Sequence, residues 1–185
     1  NAVVVVARTR PGLFGFVSLP ALRHGTKLEN SGNFALLDAR KALLWVKKNI
    51  AKFGGSSSSV TLVGTSGAGR DVMALMGSPV FSGLFTRAIV ISGGGALTKP
   101  DPAARIDADS LARLAFEDRK AGTVGLAAKW IGADSPEVRH WLSTLETSRI
   151  LNLTRGASIR DTSYPRLFAD GAFLPASGLA RAGPP

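Results

Sequence analysis

The stretch Ser59-Val60-Thr61-Leu62-Val63-Gly64-Thr65-Ser66-Gly67-Ala68-Gly69-Arg70 decides how this chain is read. A short β-branched run stops at a glycine, a serine follows two positions later, and small residues lead into a helical pattern. That layout sets a serine on a sharp strand-to-helix turn, with its Oγ held clear of the backbone. Only side chains of minimal size let strand, turn and helix approach so closely, and the serine backbone itself is expected to be strained. The helix start also aims unpaired N–H groups at the place where a negatively charged oxygen would form. The spacing departs from the usual Gly-x-Ser-x-Gly: Ala68 holds the second glycine position, and the glycines stand at Gly67 and Gly69. Taken alone, the run is equally the layout of an ordinary βα turn packed on a sheet.

Upstream, the chain opens on Ala2-Val3-Val4-Val5-Val6-Ala7, an apolar run that predicts a buried parallel strand. A protein rarely begins inside its own sheet, and Arg181-Ala182-Gly183-Pro184-Pro185 is no natural stop, so a piece truncated at both ends is expected. Arg8 to Phe16 reads as a glycine-punctuated loop with aromatic anchors. A long helix is predicted from about Asn33 to Lys52, with Leu36, Ala39, Leu43, Val46 and Ile50 as its core stripe. Gly54 and Gly55 stop it, and Ser56 to Ser59 turn into the strand before Ser66.

Downstream, a helix is expected through about Met76, then a strand over Arg87 to Ser92 closed by Gly93, Gly94 and Gly95. Strand, helix, strand, helix, strand is a parallel α/β pattern, whose reactive groups gather at the C-terminal ends of the strands. Beyond Pro100 the pattern turns to helices without strands: Asp107 to Arg119, Val124 to Ile131, and a third started by Ser135-Pro136-Glu137. That last one has an N-cap, a first-turn proline and an acid near the dipole, and should carry Val138, Trp141, Leu142 and Leu145 inward. Two regions result, 1–97 built on the sheet and 98–185 helical, with Asp170 to Pro175 as a turn and short extended piece.

With 185 residues, 45% of them hydrophobic and 19% charged, the chain can bury a real core. No apolar run approaches the ~20 residues of a membrane span. Cysteine is absent, which excludes disulfides and thiolate metal sites here and leaves the compartment undecided. A net charge of +10 would suit nucleic acid or an anionic surface. The basic residues are scattered, however. Arg40, Lys41, Lys47, Lys48 and Lys52 read as the solvated side of a helix, with no aromatic–basic interleaving, so nucleic acid is not expected as a partner.

In order, Arg10-Pro11-Gly12-Leu13-Phe14-Gly15-Phe16, Glu29 to Arg40, Trp45-Val46-Lys47-Lys48-Asn49-Ile50 with Phe53-Gly54-Gly55 and Val60-Thr61-Leu62, Phe85-Thr86-Arg87-Ala88-Ile89 with Ser92-Gly93, and Asp170-Gly171 to Pro175 resemble one family's blocks. That family is the type-B carboxylesterases and cholinesterases of the α/β-hydrolase fold. The resemblance implies a partial parallel-sheet α/β-hydrolase core followed by a helical cap or excursion. It implies that Ser66 is the acylated nucleophile, that the Gly67 N–H is one oxyanion-hole donor, and that Arg10 and Asp38 form a buried ion pair holding the loop to the helix. It implies a small-molecule ester substrate and no cofactor or metal.

Three features depart from the family pattern. Thr65 stands where the family has a glutamate, Gly67-Ala68 reverses its Ala-Gly order, and Ser56 replaces its aspartate. A serine also needs an oriented base, and in this fold the order is serine, acid, histidine. The histidines are His24, which precedes Ser66 in an irregular loop, and His140, which reads as a helix-surface residue beside Trp141. Asp170 has the right order for an acid, but the resemblance makes it a turn residue. The family's acid, histidine and glycine-rich oxyanion loop are therefore expected outside residues 1–185. The alternative is a non-catalytic adhesion or scaffold relative of the same fold. Asn152-Leu153-Thr154 also matches a glycosylation sequon.

Overall fold

The computed structural model describes residues 1–94, 97–153 and 167–179. Its helices in chain order are α1 (Gly12–Gly15), α2 (Phe34–Asn49), α3 (Gly67–Met76), α4 (Pro100–Glu117), α5 (Val124–Ile131), α6 (Pro136–Thr144) and α7 (Thr147–Leu153). Strands β1 (Thr61–Thr65) and β2 (Arg87–Ile91) form a parallel pair. The chain separates into two compact units, one of Asn1–Arg10, Ala35–Leu97 and Ala169–Pro185, the other of Pro11–Phe34 and Thr98–Phe168.

In the first unit, β1 and β2 run in register from Thr61 opposite Arg87 to Thr65 opposite Ile91. Alternation does the sorting. Leu62, Gly64, Ala88 and Val90 face the covered side, where α3 buries Val72, Ala74 and Leu75. Thr61, Val63, Thr65, Arg87, Ile89 and Ile91 face outward. Helix α2 buries Ala35, Leu36, Leu43 and Val46, and its run continues as a tighter turn over Ile50–Phe53. Gly54, at φ 80°, ends it because a left-handed residue is needed to return the chain. Near the end of the described chain, the Asp170 carboxylate accepts the N–H groups of Ala172, Phe173 and Leu174, which makes it the organiser of a turn. That turn delivers Phe173 edge-on to Phe81 at 5.4 Å between ring centroids.

The opening apolar run corrects the sequence expectation. Ala2 to Ala7 joins no ladder, and its valines are exposed, Val4 and Val6 by 82% and 84%. A strand needs edge partners for its N–H and C=O groups and a layer over its side chains, and here the run has neither.

The second unit is helical. Helix α4 begins at Pro100, seven residues before the predicted start, because Pro100 at the first turn with Asp101 behind it is a good helix opening. Thr123 caps α5 by accepting from Leu126 N–H, and Ser135 caps α6 by accepting from Val138 N–H. Leu111, Ala115, Ala127, Ile131 and Trp141 form one core with Leu13, Val17 and Leu19. Val138 and Trp141 are buried, while Leu142 and Leu145 are partly covered.

Helix α7 was not legible in the pattern. It is held by Arg149, which reaches both Asp118 carboxylate oxygens at 2.8 and 3.0 Å, while Asp118 also accepts from Trp141 Nε1 at 2.7 Å. The region beyond Pro100 is also not free of strand, because Leu167–Phe168 is extended. It pairs with the short strand Leu97–Thr98, and the Asn33 side chain adds two bonds: Nδ2 donates to the Phe168 carbonyl and Oδ1 accepts the Phe168 N–H. Among the described residues, no helix is long and apolar enough to cross a membrane. Gly95, Thr154 of the sequon and the Arg181–Pro185 tail lie outside the described residues.

Candidate active site

Strand β1 ends at Thr65, and Ser66 is the residue between strand and helix α3. Its backbone sits at φ 55° and ψ −118°, outside the regions an L-residue prefers. Two main-chain bonds hold it there. The Ser66 N–H donates to the Ile91 carbonyl at 2.8 Å, and the Ser66 carbonyl accepts from Arg70 N–H at 3.0 Å. The first ties the turn to β2 and the second is the opening bond of α3.

The turn is that tight only because of what is missing from its neighbours. A Cβ on Gly69 would stand 3.0 Å from the Ile91 carbonyl oxygen and 3.1 Å from that of Gly64. With Gly64 and Gly69 bare, the helix start presses directly onto the strand ends.

Ser66 makes no side-chain cap bond to the helix, and it is exposed together with Thr65, Gly67 and Ala68. The hydroxyl therefore stands at the open end of the strand pair rather than serving as an N-cap. Gly67 is the first residue of α3, and the first turn of the helix carries no acid, so its dipole is not neutralised locally. An anion held beside Ser66 would meet the positive end of α3.

A second serine, which by sequence is only the end of a strand, shares this edge. Thr65 lies opposite Ile91, so Ser92 leaves β2 abreast of Ser66, also at φ 55° and also exposed. Its signal was in the sequence: Ile91-Ser92-Gly93 repeats, one strand over, an apolar run followed by serine and glycine. Further along α3, Arg70 Nε and Nη2 donate to Asp71 Oδ1 at 3.2 and 3.0 Å. Burial raises the Asp71 carboxyl above its ordinary range, and the Arg70 charge and bonds only partly oppose this.

Arg10 and Asp38 meet in the same unit. The Arg10 backbone N–H and Nε both donate to Oδ2, at 3.0 and 2.9 Å, and Nη2 donates to Oδ1 at 2.8 Å. The geometry is the two-pronged fork that guanidinium and carboxylate favour. The pair is not buried, however: the Arg10 side chain is 49% exposed. Burial pushes Asp38 up, but the bonds from Arg10 outweigh it and leave the carboxyl below its ordinary value.

Neither histidine belongs to the unit that carries Ser66. His24 Nε2 lies 2.7 Å from Asp134 Oδ1, an exposed pair joining the loop after Leu22 to the turn before α6. His140 is exposed on α6. Among the described residues no cluster of His, Cys, Asp and Glu has the arrangement of a metal site.

Residues 1–177 match the model of the carboxylesterase family, and the chain belongs to that family. It is 36% identical over 118 residues to the para-nitrobenzyl esterase of Bacillus subtilis (strain 168), covering 64% of this chain and 23% of the relative. It is 32% identical over 178 residues to human carboxylesterase 5A, covering 95% of this chain and 27% of that protein. The crystal structure of the Geobacillus stearothermophilus carboxylesterase EST55 superposes with a TM-score of 0.65 at 29% identity, over 90% of this chain and 31% of that one. The fold is thus a portion of the α/β-hydrolase carboxylesterase architecture, and the chain spans only a minor part of the length of these relatives.

Proposed function

We propose that this chain carries the nucleophile-bearing centre of a carboxylic ester hydrolase, with Ser66 as the nucleophile. The observation that carries the reading is the Ser66 backbone, held at φ 55° and ψ −118° at the exposed strand end with its side chain released from capping. Strain of this kind persists only where surrounding structure over-determines it, and it gathers at reactive positions.

In the proposed reaction, the Ser66 Oγ adds to the carbonyl carbon of a small ester as a base takes its proton. The tetrahedral oxyanion then lies at the N-terminus of α3, where the Gly67 N–H donates to it. Collapse expels the alcohol, which takes up a proton, and leaves an acyl-serine that water hydrolyses by the same steps in reverse roles. The base and its orienting acid are assigned to residues outside this chain, since in this fold they follow the serine in the order acid, histidine, whereas His24 precedes Ser66 and His140 is exposed on the surface of α6. Arg10 and Asp38 have the structural task of tying the loop after the first residues to α2.

The test is intact-mass labelling with a fluorophosphonate, applied to the 185-residue chain and to a longer polypeptide that carries it at full family length. Labelling of the longer protein that disappears with Ser66→Ala supports the esterase. Absence of labelling in both forms overturns it and leaves a non-catalytic scaffold relative of the same fold.

A further inference from the structure

We propose that the outer face of α2 and of the turn that follows it docks on an anionic lipid surface. Helix α2 is two-sided. Leu36, Leu43, Val46 and Ile50 lie inward, and the opposite side carries Lys41, Leu44, Trp45, Lys48 and Lys52 at steps of three and four residues. All five are exposed, as is Phe53.

The apolar members are large and uncovered. Leu44 is 41% exposed, Trp45 47% and Phe53 58%, and the Trp45 and Phe53 rings lean together with centroids 5.8 Å apart. From Phe34 to Val60 the only acid is Asp38, and Arg10 occupies it. The face is therefore cationic around an aromatic and aliphatic centre. By sequence alone these lysines read as the solvated side of a helix; Phe53, beyond the predicted helix, is brought to Trp45 by the tighter turn over Ile50–Phe53.

Charge complementarity selects a negatively charged partner, and the chemistry at the centre selects a lipid. Indole and phenyl rings settle at the level of lipid headgroups, and lysine stems lie along apolar surface while their ammonium groups reach for phosphates. A nucleic acid would instead want open ring faces on which bases stack. Here the two rings are tilted at 46° onto each other, with Leu44 on the same side of the helix as Trp45.

The experiment is co-sedimentation of the 185-residue chain with phosphatidylcholine vesicles that either contain or lack phosphatidylserine. The expected result is partitioning at least about tenfold stronger to the anionic vesicles, reduced by about tenfold in Lys41→Glu/Lys48→Glu and again in Trp45→Ser. Arg105→Glu/Lys129→Glu removes the same charge from exposed positions in the other unit and should keep partitioning within about twofold of the original. Should Trp45→Ser lose its far-UV circular dichroism, the lysine variants alone decide, because their side chains are exposed.

Equal or absent binding to the two vesicle types overturns the proposal, as does an equal loss in both charge variants. Tighter binding to a single-stranded oligonucleotide than to the vesicles would make the partner a polyanion instead. A dimer in light scattering that Trp45→Ser dissolves would make it a second copy.

Discussion

Gly64 and Ala68 approach so closely that a Cβ on Gly64 would collide with the Ala68 carbonyl oxygen. That oxygen belongs to the backbone of α3 and has no rotamer by which to yield. Gly64→Ala should therefore destabilise the first unit by at least about 2–3 kcal/mol and displace Ser66 with it. Gly67 is the contrast, since a Cβ there meets nothing within 4 Å. Gly67→Ala should be stabilising by about 0.4–1 kcal/mol, because a helical glycine gives up chain entropy that alanine does not. Paired thermal melts check both; a Gly64→Ala protein as stable as the original would mean that strand and helix are not pressed together.

Ser66 and Ser92 hold the same left-handed φ of 55° at neighbouring strand ends. A glycine adopts that conformation without the Cβ penalty, which is of order 1–2 kcal/mol. Ser66→Gly should thus raise stability by roughly 1 kcal/mol relative to Ser66→Ala, although both lose the hydroxyl. Ser92→Gly should show the same sign against Ser92→Ala. The comparison of glycine with alanine isolates the backbone from the side chain, and equal melting temperatures within each pair would show that neither serine is strained.

The Arg10–Asp38 fork looks strong by distance, but water reaches half of Arg10. Were the pair buried, stranding one charge would cost ~3–5 kcal/mol. Exposed, it is screened, and Asp38→Asn should cost about 1 kcal/mol, shrinking further as salt is added. Denaturant titrations at low and high ionic strength measure this. A loss of several kcal/mol that salt does not alter would show the pair to be desolvated in solution.

How far the sequence could be read follows from the range of each determinant. Local determinants were legible. The periodicity of Leu36, Leu43, Val46 and Ile50, the cap Ser135, and the glycines around Ser66 each act within a few residues. What was missed depends on partners distant in sequence. Ala2 to Ala7 has strand composition, but composition does not supply a neighbouring strand, and Val4 and Val6 stay in water. Helix α7 rests on Arg149 reaching back 31 residues to Asp118, and Leu167–Phe168 on an asparagine 135 residues away. At the candidate site, Ser66 was found through its own glycines, whereas Ser92 acquires meaning only from the register that sets it beside Ser66.

Asp107 is a further long-range partner, and it makes stability depend on pH. It is buried in α4, accepts the Ser18 N–H at 2.6 Å, and is raised to about 7, by burial first and against the opposing pull of that bond and of the Arg23 charge. Arg23 sits close because its guanidinium donates to the Ser18 carbonyl and hydroxyl oxygens. In the unfolded chain Asp107 ionises near the ordinary 3.8, so between there and about 7 the folded state holds a proton that the unfolded state has released. Raising pH through that window therefore favours unfolding, and the dependence levels off once Asp107 is ionised in both states. Asp38 and Asp118 act with opposite sign and in a different window. Burial pushes both up, but their bonds to Arg10 and to Trp141 and Arg149 leave them below the ordinary value. Their stabilisation is lost only as pH falls below about 4. From pH 5 to 8 the original chain should lose stability on the order of a few kcal/mol, while Asp107→Asn, which cannot ionise, should stay nearly level. Melting temperatures across that range decide it: stability that rises with pH in the original and not in Asp107→Asn would mean that Arg23 holds Asp107 ionised inside the helical unit.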